Sequence, residues 1–277
     1  MKSSNIIKFL FILALNHYSC TGVNAHEFWI EPKKFIVKSS EKISGNLFVG
    51  QLMKGVSYGY YPKNFKRFEI KTNNDVKSLN GKIGDKPAIK IPAQGDSLVT
   101  IIHVTNNNTV LYNNWISFDK FLTEKNLTSV RAQHLQSNFP KTQFKEMYSR
   151  YAKALIGSGT SVGMDKKTGL EVELVLKENP YTHDLTNGLT IELFYKGRPR
   201  VDTQIEVFSR DTHKMVTKKI ISTNARGQAT IQVKRKTDYM INAIVMRQPT
   251  FDETAIKNST KPILWESLWA STSFTVP

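Results

Sequence analysis

Few side chains in this sequence can bind or activate anything, and the most unusual of them stands early. His26 lies in VNAHEFWIEP, residues 23–32. If the peptide bond after Ala25 is cut, His26 becomes the first residue and carries a free α-amine beside its imidazole. Those two nitrogens chelate one ion, and a second imidazole completes an N₃ set of the kind that suits Cu(II) or Ni(II). Glu27 offers an oxygen ligand next door. His103, in the middle of TIIHVTN, and His183, in the turn after NPYT, are the second-imidazole candidates. The candidate metal ligands are therefore His26, Glu27, His103 and His183, and the ion is a divalent transition metal: nickel, cobalt or copper. His134 is expected on the solvent face of a helix and His213 in an exposed hairpin turn. Met164, Met240 and Met246 read as core fillers rather than soft ligands.

The residues ahead of His26 read as an export leader. Lys2 and Lys8 give a positive start, IIKFLFILAL an apolar stretch, and Val23 and Ala25 the small residues that a signal peptidase reads. An apolar stretch of about ten residues is too short for a bilayer, which needs roughly 20. The expectation is a leader over 1–25, a periplasmic mature chain, and no transmembrane segment after cleavage. Cys20 is the only cysteine and falls in the leader, so a thiolate site and a disulfide are both excluded from the mature chain. The formal net charge is +16. The lysines and arginines are spread along the chain, as in KMVTKK and VKRKTD, which describes solvated strand faces and not a nucleic-acid patch.

Enzyme signatures are missing. There is no HExxH, no glycine-rich phosphate loop after a strand and no nucleophile elbow, so a non-enzymatic protein is expected. GSGTSVG follows a periodic segment and reads as a linker. Asp165, Glu171 and Glu173 cluster in sequence, but the alternation of LEVELVL places both glutamates on the solvent face of a strand. Trp265 and Trp269, four apart in WESLWAS, read as plugs for a seam or a sandwich end.

The elements that would position these residues are mostly strands. KFIVK, KISGNLFVG, RFEIKT and DSLVTIIHVTN alternate or cluster β-branched and aromatic residues between turn formers. LEVELVLKE, GLTIELFYKGRP, QIEVFSR, KKIISTNARGQATIQVK, YMINAIVMR and WASTSFTV do the same after Leu170, with TNARGQ as a hairpin turn. Between them, WISFDKFLTEKNLTSVRAQHLQSNF reads as helical. So does KTQFKEMYSRYAKALIG, where Phe144, Met147, Tyr148, Tyr151, Ala154 and Leu155 recur at three and four and Gly157 sits at a C-cap. The expected fold is all-β: two immunoglobulin- or transthyretin-like β-sandwich domains, at 26–118 and 165–277, joined by a helical connector and loop at 119–164.

AHEFWIEP at the start, YSRYAKALI at 148–156, GLEVELVLKENPY at 169–181 and WESLWASTSFTVP at 265–277, in that order, resemble the DUF4198 family of exported bacterial proteins. That family is also labelled as a nickel-uptake or cobalt-transport periplasmic component. The resemblance implies a β-rich periplasmic protein that handles a transition metal and passes it to a membrane metal transporter. It departs at Val245, where relatives carry a His before the Met. Against the metal-binding accessory stands a structural or adhesive envelope protein without metal, binding a protein or glycan.

Overall fold

A stretch that reads as a helix forms the longest strand among the described residues, fifteen residues in all. In the computed structural model, which describes residues 26–73, 75–250 and 261–277, FKEMYSRYAKALIGS is a strand from Phe144 to Ser158. The helix expected over 144–155 is therefore corrected. The cause is burial on both faces. Phe144, Glu146, Tyr148, Arg150, Ala152 and Ala154 point one way, and Met147, Tyr151, Lys153 and Leu155 the other. When both parities are buried, apolar residues fall at spacings of three and four as readily as two. Tyr148 and Tyr151 thus lie on opposite faces, and Gly157 is no cap: a Cβ there would meet the Ser161 hydroxyl and the Tyr181 ring. The leader expected over 1–25 lies outside the described residues.

This central strand pairs in parallel with the C-terminal strand Ile263–Val276, in a register that sets Tyr148 beside Ser267 and Arg150 beside Trp269. Around it a ten-stranded sheet assembles. Eight of the strands run in the order Val216–Ser222, Gln204–Arg210, Thr237–Arg247, Ile263–Val276, Phe144–Ser158, Ser97–Thr105, Phe65–Lys71 and Val76–Ser78, and the other two, Ile36–Val37 and Asn108–Tyr112, pair with the central strand. Strands from before residue 118 and after residue 165 share this one sheet. The all-β expectation holds, and the helices Trp115–Glu124 and Thr128–Gln136 fall in the segment that read as helical. TNARGQ is a turn, with Gly227 at φ +73, but not the hairpin expected: Val216–Ser222 before it and Gln228–Ile231 after it pair into different sheets, so the turn carries the chain from one layer to the other. No helix among the described residues is long and apolar enough to cross a membrane.

One face of the large sheet is covered by a four-stranded sheet built from Val172–Leu176, Leu189–Tyr195, Arg198–Pro199 and Gln228–Ile231. Tyr151, Leu155, Leu268 and Phe274 pack there against Leu174, Leu176, Ile191 and Leu193. The opposite face has two covers. The sheet of Glu27–Pro32, Lys42–Gln51, Lys54–Tyr58 and Ile89–Pro92 sits over Ala152, Ala154 and Ile156. The two helices sit over Phe144, Ile244, Trp265 and Trp269. Each large apolar side chain buried in these layers contributes roughly 1.5–3 kcal/mol. Trp265 and Trp269 are buried between the large sheet and the helices.

The first strand, Glu27–Pro32, pairs along one edge with Lys42–Gln51. Its other edge is held by side chains. Arg150 Nη2 donates to the His26 carbonyl at 3.2 Å, Ser271 Oγ to that of Phe28 at 2.7 Å, and Ser273 Oγ to that of Ile30. Carbonyls of alternate residues point to one side of a strand, so three side chains of the large sheet grip one edge and fix where the chain enters.

Candidate functional site

A cavity of about 640 Å³ lies between the first sheet, the segment 58–65 and the stretch from His103 to Tyr112. Its floor is the stretch of the central strand from Glu146 to Arg150. The backbone there explains the gap. Ser97–Thr105 pairs with the central strand only at Leu155–Ser158, and Asn108–Tyr112 takes over at Phe144–Tyr148. Between these ladders the Arg150 amide bonds the Thr105 hydroxyl at 3.0 Å instead.

His26 and His103 both line this cavity. His26 is half-buried at the entry to the first strand. His103 is buried, and its ring sits among Phe28, Phe65 and Phe68 at centroid distances of 5.1, 5.3 and 5.0 Å. Among the described residues its Nδ1 has no hydrogen-bond partner. Burial pushes its pKa down to about 3, so the ring is neutral at any physiological pH. A neutral imidazole is the form that ligates metal. A buried ring nitrogen without a partner costs about 1–3 kcal/mol and calls for an explanation. Among the described residues no three His, Cys, Asp or Glu side chains converge on one point.

Two charged residues that sequence reasoning did not single out complete the site. Glu146 is 2% exposed. Tyr112 Oη donates to its Oε2 at 2.8 Å and Ser267 Oγ to its Oε1, while Trp269 Nε1 donates to that same Ser267 oxygen at 2.9 Å. Desolvation raises the Glu146 carboxyl to about 7, against the pull of those two hydroxyls. Arg150 lies over the Tyr148 ring at 4.6 Å. Burial lowers the guanidinium from its ordinary value, though a group that starts at 12.5 stays charged. Its Nε has no hydrogen-bond partner among the described residues. The signal was in the sequence: once FKEMYSRYAKALI is read as a doubly buried strand, Glu146, Arg150 and Lys153 become charges placed in a core.

The other expected ligands are elsewhere. Glu27 faces away from His26, as strand alternation requires. It is buried against Lys125 Nζ at 3.4 Å, and Lys125 in turn holds Glu206 at 2.7 Å. Desolvation raises the Glu27 carboxyl, with Lys125 opposing. Its role is to seat the first strand. His183 is exposed in a separate pocket beside Pro180 and Arg235, where Nδ1 accepts from the Asn179 amide at 3.3 Å. His134 is fully buried rather than solvent-facing: its Nδ1 accepts from Trp265 Nε1 at 3.0 Å. Glu173 is buried as well, not on a solvent face, and pairs with Lys153. His213 is exposed, and Met240 and Met246 are core residues. Met164 is exposed, so it fills no core. Val245, at the departure from the family pattern, is buried against the small sheet's core, on the face opposite the cavity.

A family model described as a domain of unknown function, DUF4198, matches residues 23–247. No curated protein matches the chain. Among solved structures, a tetra-tandem repeat from the extending region of a large adhesion protein aligns at 10% identity, with a TM-score of 0.20, over 91% of this chain. The chain spans half the length of that structure, and so slight a likeness carries no argument.

Proposed function

We propose, for a chain that belongs to the DUF4198 family, that it is an exported, non-enzymatic protein that captures a divalent transition metal, and that His26 and His103 hold it. Cleavage after Ala25 frees the amine. The amine and ring of His26 chelate the ion, and the His103 ring supplies the third nitrogen. The cargo is nickel, cobalt or copper, passed on to a membrane transporter.

The observation that carries this reading is the pairing of the two histidines on one cavity, with the second buried, neutral and lacking a partner at Nδ1. A protein that used His103 only for packing would gain by replacing it with an apolar residue of like shape. The grip of Arg150, Ser271 and Ser273 on the first strand gives a short rigid tether from the sheet to His26, as a chelating terminus requires.

Calorimetric titration of Cu(II) into protein that begins at His26 tests it. One equivalent should bind. Adding a glycine ahead of His26 keeps the ring but moves the amine, and should remove most of the affinity, as should His26→Ala. Copper should bind more tightly than nickel because nitrogen sites follow the Irving–Williams order, so the preference in vitro does not identify the cargo. Equal binding by all three proteins rejects the site.

A further inference from the structure

The mouth of the cavity is built differently from its floor. Glu146 on the floor is buried, whereas most residues around the opening face solvent. One wall of the mouth is apolar. Strands Lys42–Gln51 and Lys54–Tyr58 set Leu47 opposite Tyr58 and Val49 opposite Val56. Residues two apart on a strand share a face, so these four form one patch. It climbs from Leu47, buried, through Val49, half-buried, to Tyr58 and Val56, 47% and 67% exposed. Tyr61, 42% exposed, also lines the cavity and leads into the short turn Pro62–Asn64. A second wall is a run of amides, Asn64 and Asn106 to Asn108. Hydrogen bonds brace it: Asn106 Nδ2 donates to the Lys63 carbonyl at 2.6 Å, Asn108 Nδ2 to the Asn106 carbonyl at 2.9 Å, and Lys66 Nζ to Asn107 Oδ1 at 2.7 Å. Each of these three amides keeps its other end without a protein partner among the described residues. Lys63 is exposed at the same mouth. Among the described lining residues Glu146 is the one carboxylate, and Tyr112 and Ser267 already donate to it.

We infer that the mouth of the cavity binds a short oligosaccharide, and an acidic one more tightly than a neutral one. A pyranose ring has faces of C–H groups and a rim of hydroxyls. The faces fit the rings of Tyr58 and Tyr61, and the hydroxyls fit amide ends that donate as well as accept. Tyrosine supplies rigid amphipathic contact area and asparagine adaptable hydrogen bonding, a pairing that suits a ligand of mixed polarity. A purely apolar ligand would cover the amides without bonding them, which costs free energy. A small inorganic anion would leave the tyrosine wall unused. The volume, about 640 Å³, falls within the range of small-molecule sites, roughly 300–1,000 Å³. Lys63 favours a carboxylate on the sugar, and no acid at the mouth opposes it among the described lining residues. This inference stands apart from the metal reading: it uses none of the residues given to the ion and needs no metal.

Calorimetric titration with trigalacturonate tests it, using protein that begins at His26 and buffers stripped of metal on a chelating resin. Maltotriose is the uncharged comparison. Citrate, with as many carboxylates and no sugar ring, separates recognition of the rings from attraction to a basic protein. The parent should bind one equivalent of trigalacturonate, maltotriose more weakly, and citrate not at all. Tyr58→Ala combined with Tyr61→Ala should weaken both sugars by roughly tenfold or more. Lys63→Gln should lower the affinity for trigalacturonate to that for maltotriose. Melting temperatures show whether the variants fold, and Tyr61→Ala alone, outside the strands, serves if the double variant does not. A parent that binds neither sugar overturns the inference. So does citrate bound as tightly as trigalacturonate, or sugar bound equally by the parent and the tyrosine variants. Equal affinity of the parent for the two sugars overturns the preference for an acidic one. Failure of the parent to bind copper, measured separately, rejects the metal reading and leaves the sugar site standing.

Discussion

The two faces of the central strand, Phe144–Ser158, treat buried charge in opposite ways. Toward the small sheet, Lys153 is 1% exposed; it donates to Glu173 at 3.2 Å and to the Leu174 carbonyl at 3.1 Å and pairs with the charge of Asp165 at 2.8 Å. Glu173 accepts further bonds from the Thr168 amide and hydroxyl, and Asp165 from the Leu176 amide at 3.0 Å. On the other face, only three residues away, Arg150 keeps an Nε without a partner among the described residues, and Glu146 accepts from hydroxyls with no cation on it. The neighbouring strand adds His103, whose Nδ1 has no partner among the described residues. The first set fills its space. The second surrounds a cavity. Both charged centres sit on one strand, so burial alone does not distinguish structure from function. What distinguishes them is whether each buried charge meets its counter-charge.

Breaking the satisfied side should have the largest effect. Lys153→Ala leaves Asp165 and Glu173 buried without their cation, which should cost about 3–5 kcal/mol in chemical denaturation. A loss below about 1 kcal/mol would mean that water reaches the pair and that the contrast drawn here is false.

Glu146→Gln should come next, and its effect depends on pH. The folded carboxyl titrates near 7 against an ordinary 4.5, so folding favours the protonated form. Its contribution is complete below 4.5 and is lost as pH rises through 7, a change of up to about 3 kcal/mol. His103 acts in the opposite direction: at about 3 in the fold against 6.5, it costs nothing above 6.5 and destabilises as pH falls from 6.5 toward 3. The two effects oppose each other in the parent, so the comparison with Glu146→Gln isolates the carboxyl: the stability of the parent relative to Glu146→Gln should fall between pH 5 and pH 8. A difference between the two proteins that is constant over that range would contradict the Glu146 account.

A smaller change is expected from His103→Phe. Three phenylalanine rings already surround the site, and the substitution removes a buried nitrogen without a partner. Stability should stay level or rise by up to about 1 kcal/mol, while copper affinity falls. Loss of stability together with unchanged copper binding would make His103 a packing residue like His134. Smallest of all, His183→Ala, at an exposed turn remote from the cavity, should shift stability by no more than about 0.5 kcal/mol and leave copper binding as it was.

Much of the fold was legible, and the errors share one cause. Strands with one wet face, such as KISGNLFVG at 42–50, show their alternation openly. The central strand does not, because neither of its faces is wet, and its partners are far away in sequence: Tyr148 beside Ser267, Ser271 bonded to Phe28. Glu173 seemed exposed because LEVELVL alternates, yet its polar face meets Lys153 and not water. His134 seemed exposed because no local pattern shows Trp265 waiting for an acceptor. At the site, His26 and His103 were legible as residues able to bind metal. Glu27 next to His26 in sequence was misleading, since neighbours on a strand face opposite ways. Arg150 and Glu146 were hidden by the helical reading of their strand.

The measurement that bears most directly on the two-histidine site is the nitrogen hyperfine structure in the EPR spectrum of protein beginning at His26 with one equivalent of Cu(II), recorded beside His103→Ala. The parent should show coupling to three nitrogens: the His26 amine, the His26 ring and the His103 ring. His103→Ala should show two, with weaker binding. Identical spectra and affinities for the two proteins would place the copper away from His103 and contradict the account.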